Sequence, residues 1–226
     1  MRSTLALRRE VATVCRRLYE RGLVAGQDGN VSVRVADDCV LVTPAGFSKV
    51  DVRPGDLVEV SLAGAHQAGA ERASSELAMH LRIYQRRADA RAVVHAHPPT
   101  ATAFAVAGEP LMADVLPEIM FGMGEVATVP YVTPGTEALA AAFEPFLSTH
   151  DAFLMANHGA TTLGPTLRTA HQRMESLEHA ARIILGARLL GRVNPLTPDQ
   201  LRTLVAARDL ARGHDAHTPP PTRQGT

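Results

Sequence analysis

The segment Val93-Val94-His95-Ala96-His97-Pro98 carries two imidazoles two residues apart at the end of an apolar, β-branched run. Side chains at i and i+2 of a strand share a face, so His95 and His97 project together from its C-terminal end. Such a pair is half of a metal site. Zinc takes imidazole nitrogens at about 2.0–2.1 Å, and catalytic zinc commonly keeps three protein ligands and an open position. A third imidazole, His158, follows another short apolar run in Met155-Ala156-Asn157-His158-Gly159, and α/β sheets place ligands at strand ends. A single His-x-His is commonly a surface pair, and a single turn histidine is commonly satisfied by its neighbours. The same strand-end context at both places favours a metal.

Ala73-Ser74-Ser75-Glu76 is the second candidate. Serines in the first turn of a helix would join their hydroxyls to the free N–H groups there and form an anion pocket. Glu76 would stand beside it as a base or a ligand, although by itself the segment reads more readily as a plain helix cap with an acidic first-turn residue. His80 lies one helical turn on, as a packing residue or a supporting one. Two glycine-bearing loops, Gly26-Gln27-Asp28-Gly29-Asn30 and Thr43-Pro44-Ala45-Gly46, complete the set. Their glycines would let backbone N–H groups approach a phosphate, or simply turn the chain. Schiff-base chemistry would need a lysine, and Lys49 is the only one beside 22 arginines; a metal is therefore the better electrophile for carbonyl chemistry.

Regular elements must hold these groups. Apolar residues at helical spacing predict a helix from Thr4 to about Arg21, stopped by Gly22. Alternation predicts strands over Asn30–Val35 and Cys39–Val42 around an Asp37-Asp38 turn, then Leu57–Leu62 after Pro54-Gly55, followed by a loop to Arg72. A helix from Ser74 or Ser75 to about Arg87 precedes a strand over Arg91–His95. A short helix over Thr100–Val106, a strand over Val126–Val129 and a helix over Thr136–Leu147 come next. Ala152–Met155 is a buried strand, Thr166–Leu190 the longest helix and Pro198–Ala211 the last one. Alternating strands and helices give an α/β domain with helices on both faces of a sheet. The turns suggest antiparallel or mixed pairing.

The 226 residues suffice for one domain, placed at residues 1–213, with the tri-proline stretch 214–226 expected to be a disordered tail. Lysine plus arginine equal aspartate plus glutamate at 23 each, which argues against nucleic acid or an anionic membrane as partner. No apolar run approaches the roughly 18–20 residues that span a bilayer, and the charged N-terminus has no apolar signal core. The two cysteines, Cys15 and Cys39, form no disulfide framework. A cytoplasmic location is the expectation.

Taken in order, Gly29-Asn30-Val31-Ser32, Thr43-Pro44-Ala45-Gly46, Ser74-Ser75-Glu76 with His80 and Tyr84, Val94-His95-Ala96-His97, Pro130-Tyr131 with Gly135-Thr136, and Asn157-His158-Gly159 resemble the class II aldolase/adducin family. The resemblance runs from about residue 5 to about residue 190. It implies a three-layer α/β/α fold with a mostly antiparallel sheet, and a homotetramer with sites at subunit interfaces. It also implies zinc, or another divalent metal such as Mn2+, on His95, His97 and His158. Glu76 falls on the family's catalytic glutamate, which ligates the metal when substrate is absent. Gly29, Asn30, Ala45, Gly46, Ser74 and Ser75 fall on its phosphate-binding segments. The implied activity is cleavage of a ketose 1-phosphate, such as L-fuculose 1-phosphate, to dihydroxyacetone phosphate and an aldehyde.

Two positions depart from the family pattern. Ala45 stands where a hydroxyl residue is usual, and no tyrosine lies near Leu116, where a neighbouring subunit's proton donor would fall; Glu118 and Glu125 are substitutes by proximity in sequence alone. The same resemblance admits a methylthioribulose-1-phosphate dehydratase, a decarboxylase, or an epimerase, the last disfavoured because its members carry aspartate at the Glu76 position. A non-catalytic adducin-like interaction domain is disfavoured by the intact histidine set.

Overall fold

The computed structural model of the chain describes residues 4–215, so the tail expected to be disordered lies, from residue 216 on, outside the described residues. Its elements in chain order are α1 (Thr4–Glu20), β1 (Asn30–Ala36), β2 (Cys39–Val42), β3 (Val58–Val60), β4 (His66–Ala68), α2 (Leu77–Arg86), β5 (Ala92–Ala96) and α3 (Pro99–Ala107). A 3-10 turn at Ala113–Val115 precedes α4 (Pro117–Gly122), β6 (Val126–Val129), α5 (Glu137–Ala142), β7 (Ala152–Met155), β8 (Gly159–Gly164), α6 (Leu167–Leu189) and α7 (Pro198–Asp215).

The strands form one sheet in the order β4-β3-β2-β1-β5-β8-β7-β6. Every pairing is antiparallel except β6 with β7, which is parallel. Period-2 alternation sends successive side chains to opposite faces and so builds two cores. Ala92, Val94 and Ala96 of β5 pack with Ala152 and Leu154 against α1, α3, α4 and α6. Val93 of β5 packs with Phe153 and Met155 against α2 and α5. The three layers expected from the alternation of elements are therefore present. β5 is buried along its whole length, between β1 and β8. Its register sets Asn30 opposite His95 and Ala160 opposite Ala96, which carries the ends of β1, β5 and β8 to one place.

The helix expected from Ser74 or Ser75 starts later. Residues 72–74 are held extended against the Thr43–Ala45 loop: Ala45 N donates to Arg72 O at 2.8 Å, Ser74 N donates to Thr43 O at 3.1 Å, and Pro44 bridges Ala73. α2 begins at Leu77 with Glu76 at its N-cap position and no side-chain cap. The serines thus precede the helix, and the reason is this short ladder.

Other differences have equally local causes. β8 and β4 occupy stretches in which no strand was expected. Gly159-Ala160-Thr161-Thr162-Leu163-Gly164 is bracketed by glycines that read as stops, yet all six residues are buried in the middle of the sheet. Gly164 is a site of close approach, since a Cβ there would lie 2.9 Å from Ala170 N. β4 is an exposed edge in a Gly/Ala-rich stretch without an apolar pattern. The helix expected over Thr136–Leu147 is regular only to Ala142, although Phe143 and Leu147 stay buried beyond its end. α7 extends past the expected Ala211 to Asp215.

Candidate functional site

His95 is the last residue but one of β5, wholly buried, and its Nδ1 lies 2.9 Å from Ala160 O and 3.2 Å from Thr161 Oγ1 of β8. An Nδ1 proton donated to that carbonyl turns Nε2 toward the other imidazoles. His97 follows the strand. Its amide donates to Leu23 O at 2.9 Å, and its Nδ1 lies 3.4 Å from Asp28 Oδ2. Pro98 and Pro99 then end the strand and start α3. His158 sits in the tight turn between β7 and β8, where Asn157 takes the left-handed conformation at φ 55°, which asparagine tolerates better than most residues.

Gly159 is what lets these pieces meet. A Cβ there would stand 2.6 Å from Ala96 O and 2.6 Å from His97 Cδ2. Gly29 does the same on the other side: at φ 72° a Cβ would lie 2.7 Å from His95 O. The outcome is three imidazoles whose ring centroids are 4.8–5.0 Å apart. Each offers one nitrogen to a group in which all such atoms lie within 4.8 Å of one another, and the Nε2 atoms of His95 and His97 are 3.1 Å apart.

Glu76 closes the cluster. Its Oε2 is 3.0 Å from His95 Nε2 and accepts from Asn30 Nδ2 at 2.8 Å, while Oε1 is 3.3 Å from His158 Nε2. Oε1 is buried and accepts no hydrogen bond among the described residues. Burial opposes a charge on Glu76, but His95, by its charge and its hydrogen bond, then Asn30 and His158, outweigh it. The carboxyl is held well below the ordinary range. Burial, and after it the adjacent His95, lowers His158 to about 4 and lowers His97 as well. Three imidazoles and one ionised carboxylate with an unsatisfied oxygen fit a divalent cation, which takes neutral imidazole and carboxylate oxygen.

The cluster forms one end of an open cavity of about 280 Å³. Gly29, Asn30, Ala45, Gly46, Ser74, Ser75, Glu76, His97 and His158 all line it, with His95 buried behind them. The short ladder between residues 43–45 and 72–74 draws the two anion-binding candidates together. Ser74 Oγ accepts from Glu76 N at 3.3 Å, so a serine shapes the approach to α2 from outside the helix. Asn30 lines the cavity, but its side-chain amide is turned to Glu76 and His80.

Two lining residues carried no sequence signal as site residues. Asp28 is the carboxylate against His97, and among the described residues Lys49 is the only lysine or arginine in the lining. The Lys49 amine is buried and donates to Gln27 O at 3.1 Å and Phe47 O at 2.8 Å, so it ties the two glycine loops together. Burial lowers its pKa. Glu118 and Glu125 do not line this cavity. Glu118 borders a separate cavity with Gly122 and Arg173, and Glu125 another with Leu111 and Leu201. Tyr131 is exposed.

Known proteins bear on this geometry. Residues 9–185 match the model of the class II aldolase and adducin N-terminal domain. A 3-oxo-tetronate 4-phosphate decarboxylase from Escherichia coli strain K12 is 31% identical over 183 residues, covering 79% of this chain and 86% of the relative. A 5-deoxy-D-ribulose 1-phosphate aldolase from Bacillus thuringiensis is 34% identical over 200 residues, covering 88% and 93%. A solved L-fuculose 1-phosphate aldolase superposes with a TM-score of 0.85 at 29% identity, covering 92% of this chain and 98% of its own. Among the described residues no helix is long and apolar enough to cross a membrane. With its sheet order, its histidine cluster and a match spanning most of its length, the chain belongs to the class II aldolase and adducin family.

Proposed function

We propose that the protein is a metal-dependent lyase that cleaves a ketose 1-phosphate, L-fuculose 1-phosphate or a similar sugar, into dihydroxyacetone phosphate and an aldehyde. The observation that carries this reading is the position of Glu76. One carboxylate oxygen is fixed by Asn30 and the other is unsatisfied beside His158, in a cavity that Gly46, Lys49, Ser74 and Ser75 also line. His95, His97, His158 and Glu76 would hold zinc or manganese, which when bound stabilises negative charge developing on substrate oxygens.

The chain's own groups have the following tasks. Ser74, Ser75 and the loop backbones at Gly29, Asn30, Ala45 and Gly46 bind the phosphate, with the ammonium of Lys49 as the nearby positive charge. Lys49 offsets part of what the missing hydroxyl at Ala45 would contribute. As the C3–C4 bond breaks, its electron pair stays at C3 and the C4 hydroxyl gives up its proton to leave an aldehyde. Glu76, after taking up a proton from solvent, delivers it to C3 and completes dihydroxyacetone phosphate; in the condensation direction the ionised carboxylate takes that proton back. A homotetramer with sites at subunit interfaces would bring a neighbouring chain's group to the C4 hydroxyl.

The decarboxylase relative favours one second reading. A phosphorylated 3-oxo acid would lose carbon dioxide in place of the aldehyde, the C–C electron pair staying on carbon and Glu76 passing it a proton taken up from solvent. Product analysis separates them: dihydroxyacetone phosphate plus an aldehyde for the first, carbon dioxide for the second. A Glu76→Gln variant keeps the shape and removes the base, so its turnover is expected to fall about 10²–10⁴-fold. Undiminished turnover by that variant would exclude Glu76 from the reaction.

A further inference from the structure

Behind Glu76 a line of side chains leaves the cavity and runs between the sheet and α2. Asn30 Nδ2 lies 2.8 Å from Glu76 Oε2, and Asn30 Oδ1 lies 2.5 Å from His80 Nε2. His80 Nδ1 is 2.6 Å from Ser32 Oγ, which is 2.8 Å from the Tyr84 hydroxyl. All five residues are buried, and Ser32 and His80 are wholly inaccessible. The substrate reading leaves His80, Ser32 and Tyr84 without a task.

The polarity of the line follows from its first member. An ionised carboxylate only accepts, so the NH2 of Asn30 faces Glu76 and its carbonyl oxygen faces His80. That carbonyl also only accepts, so His80 must carry its proton on Nε2. Burial, and after it the charge of His95, lowers His80 to about 3, which keeps the ring neutral and its Nδ1 bare. Ser32 therefore donates to Nδ1 and accepts from Tyr84. Every donor points toward Glu76, an arrangement in which each bond polarises the next. The amide of Asn30 accepts at oxygen and donates at nitrogen, so the line orients groups and conducts no proton.

We infer that the Tyr84–Ser32–His80 line is a positioning device that holds the Asn30 amide in one orientation, and that Asn30 thereby fixes Glu76 by Oε2 and turns Oε1 to the histidine cluster. Asn30 then serves the carboxylate with its side chain and can serve a phosphate only through its backbone. A flipped amide would set its carbonyl against the carboxylate, which repels it.

The consequence for turnover rests on the reading of Glu76 above; the tautomer does not, and it is read without substrate. In 15N NMR of the histidine-labelled full-length protein at pH 7, the His80 ring, assigned by its loss in His80→Gln, is expected to show a protonated Nε2 and a bare Nδ1. An Nδ1–H tautomer or an imidazolium would overturn the inference whatever the substrate proves to be. In the assay that detects turnover, His80→Leu is expected to lower kcat about 10–100-fold with KM changed less than about twofold. His80→Gln, whose amide can still donate to Asn30, is expected to recover most of that loss. Equal losses in the two variants, both with wild-type thermal unfolding, would overturn it.

Discussion

His97 has the least self-sufficient position of the three clustered imidazoles. His95 is fixed by β8 on one side and buried, whereas His97 lies beyond the last residue of β5 and has Asp28 as the acidic partner of its Nδ1. A carboxylate behind a ligating imidazole fixes its tautomer and raises its basicity. Asp28→Asn is therefore expected to weaken metal affinity about 10–100-fold, measured by competition with a chelator of known affinity. An unchanged affinity would mean that Asp28 does not orient His97. The three histidines of the cluster were legible in the sequence, because spacing and strand ends are local features. Asp28 and Lys49 were not, since nothing in a glycine-bearing loop says which side chain turns inward. The line behind Asn30 was legible only as His80 following Glu76 by one turn; Ser32 joins it from β1, and pairing between distant segments leaves no local trace.

At the scale of elements, β8 and α3 position the site. β8 was missed because its flanking glycines resemble stops, and the contacts that demand them come from β5 and α6. Gly159→Ala should push Ala96 and His97 away from the β7–β8 turn that carries His158. It is expected to lower the unfolding free energy by about 1–3 kcal/mol, as overpacking does, and to lower metal content with it. Denaturant unfolding and metal analysis of the same sample check this, and full metal retention would contradict it. α3 starts two residues after His97, and Glu178 of α6 accepts from Thr100 N and Ala101 N at 3.0 and 2.9 Å. Arg182 donates to the same carboxylate at 2.8 Å. This is an N-terminal cap supplied by another helix, which no local sequence pattern could announce. Glu178→Ala is expected to cost about 1–3 kcal/mol in denaturant unfolding by leaving buried N–H groups unpaired. A change within about 0.5 kcal/mol would remove the cap from the account.

Across the whole molecule, the three layers follow from the alternation of strands with helices, and the two cores follow from period-2 strands between them. The strand order did not follow from the sequence, because the β1–β5 and β5–β8 pairings join segments dozens of residues apart. Burying a histidine in one of these cores ties stability to pH. His80 has a folded pKa lowered to about 3 by burial, against about 6.5 for an unfolded chain. Between those values the unfolded chain binds more protons, so this contribution to stability rises from pH 3 to pH 6.5 and is level above that. The denaturant midpoint is expected to drop between pH 7 and pH 5, and less so in His80→Gln where that variant folds. A wild-type midpoint unchanged over that interval would contradict the neutral, buried state of His80.

Metal content bears most directly on whether three imidazoles and Glu76 share one divalent ion. Elemental analysis of the purified protein is expected to find about one ion per chain, zinc or manganese, and almost none in a folded His95→Ala/His97→Ala variant. A variant that keeps the wild-type metal content would show that these side chains are not its ligands.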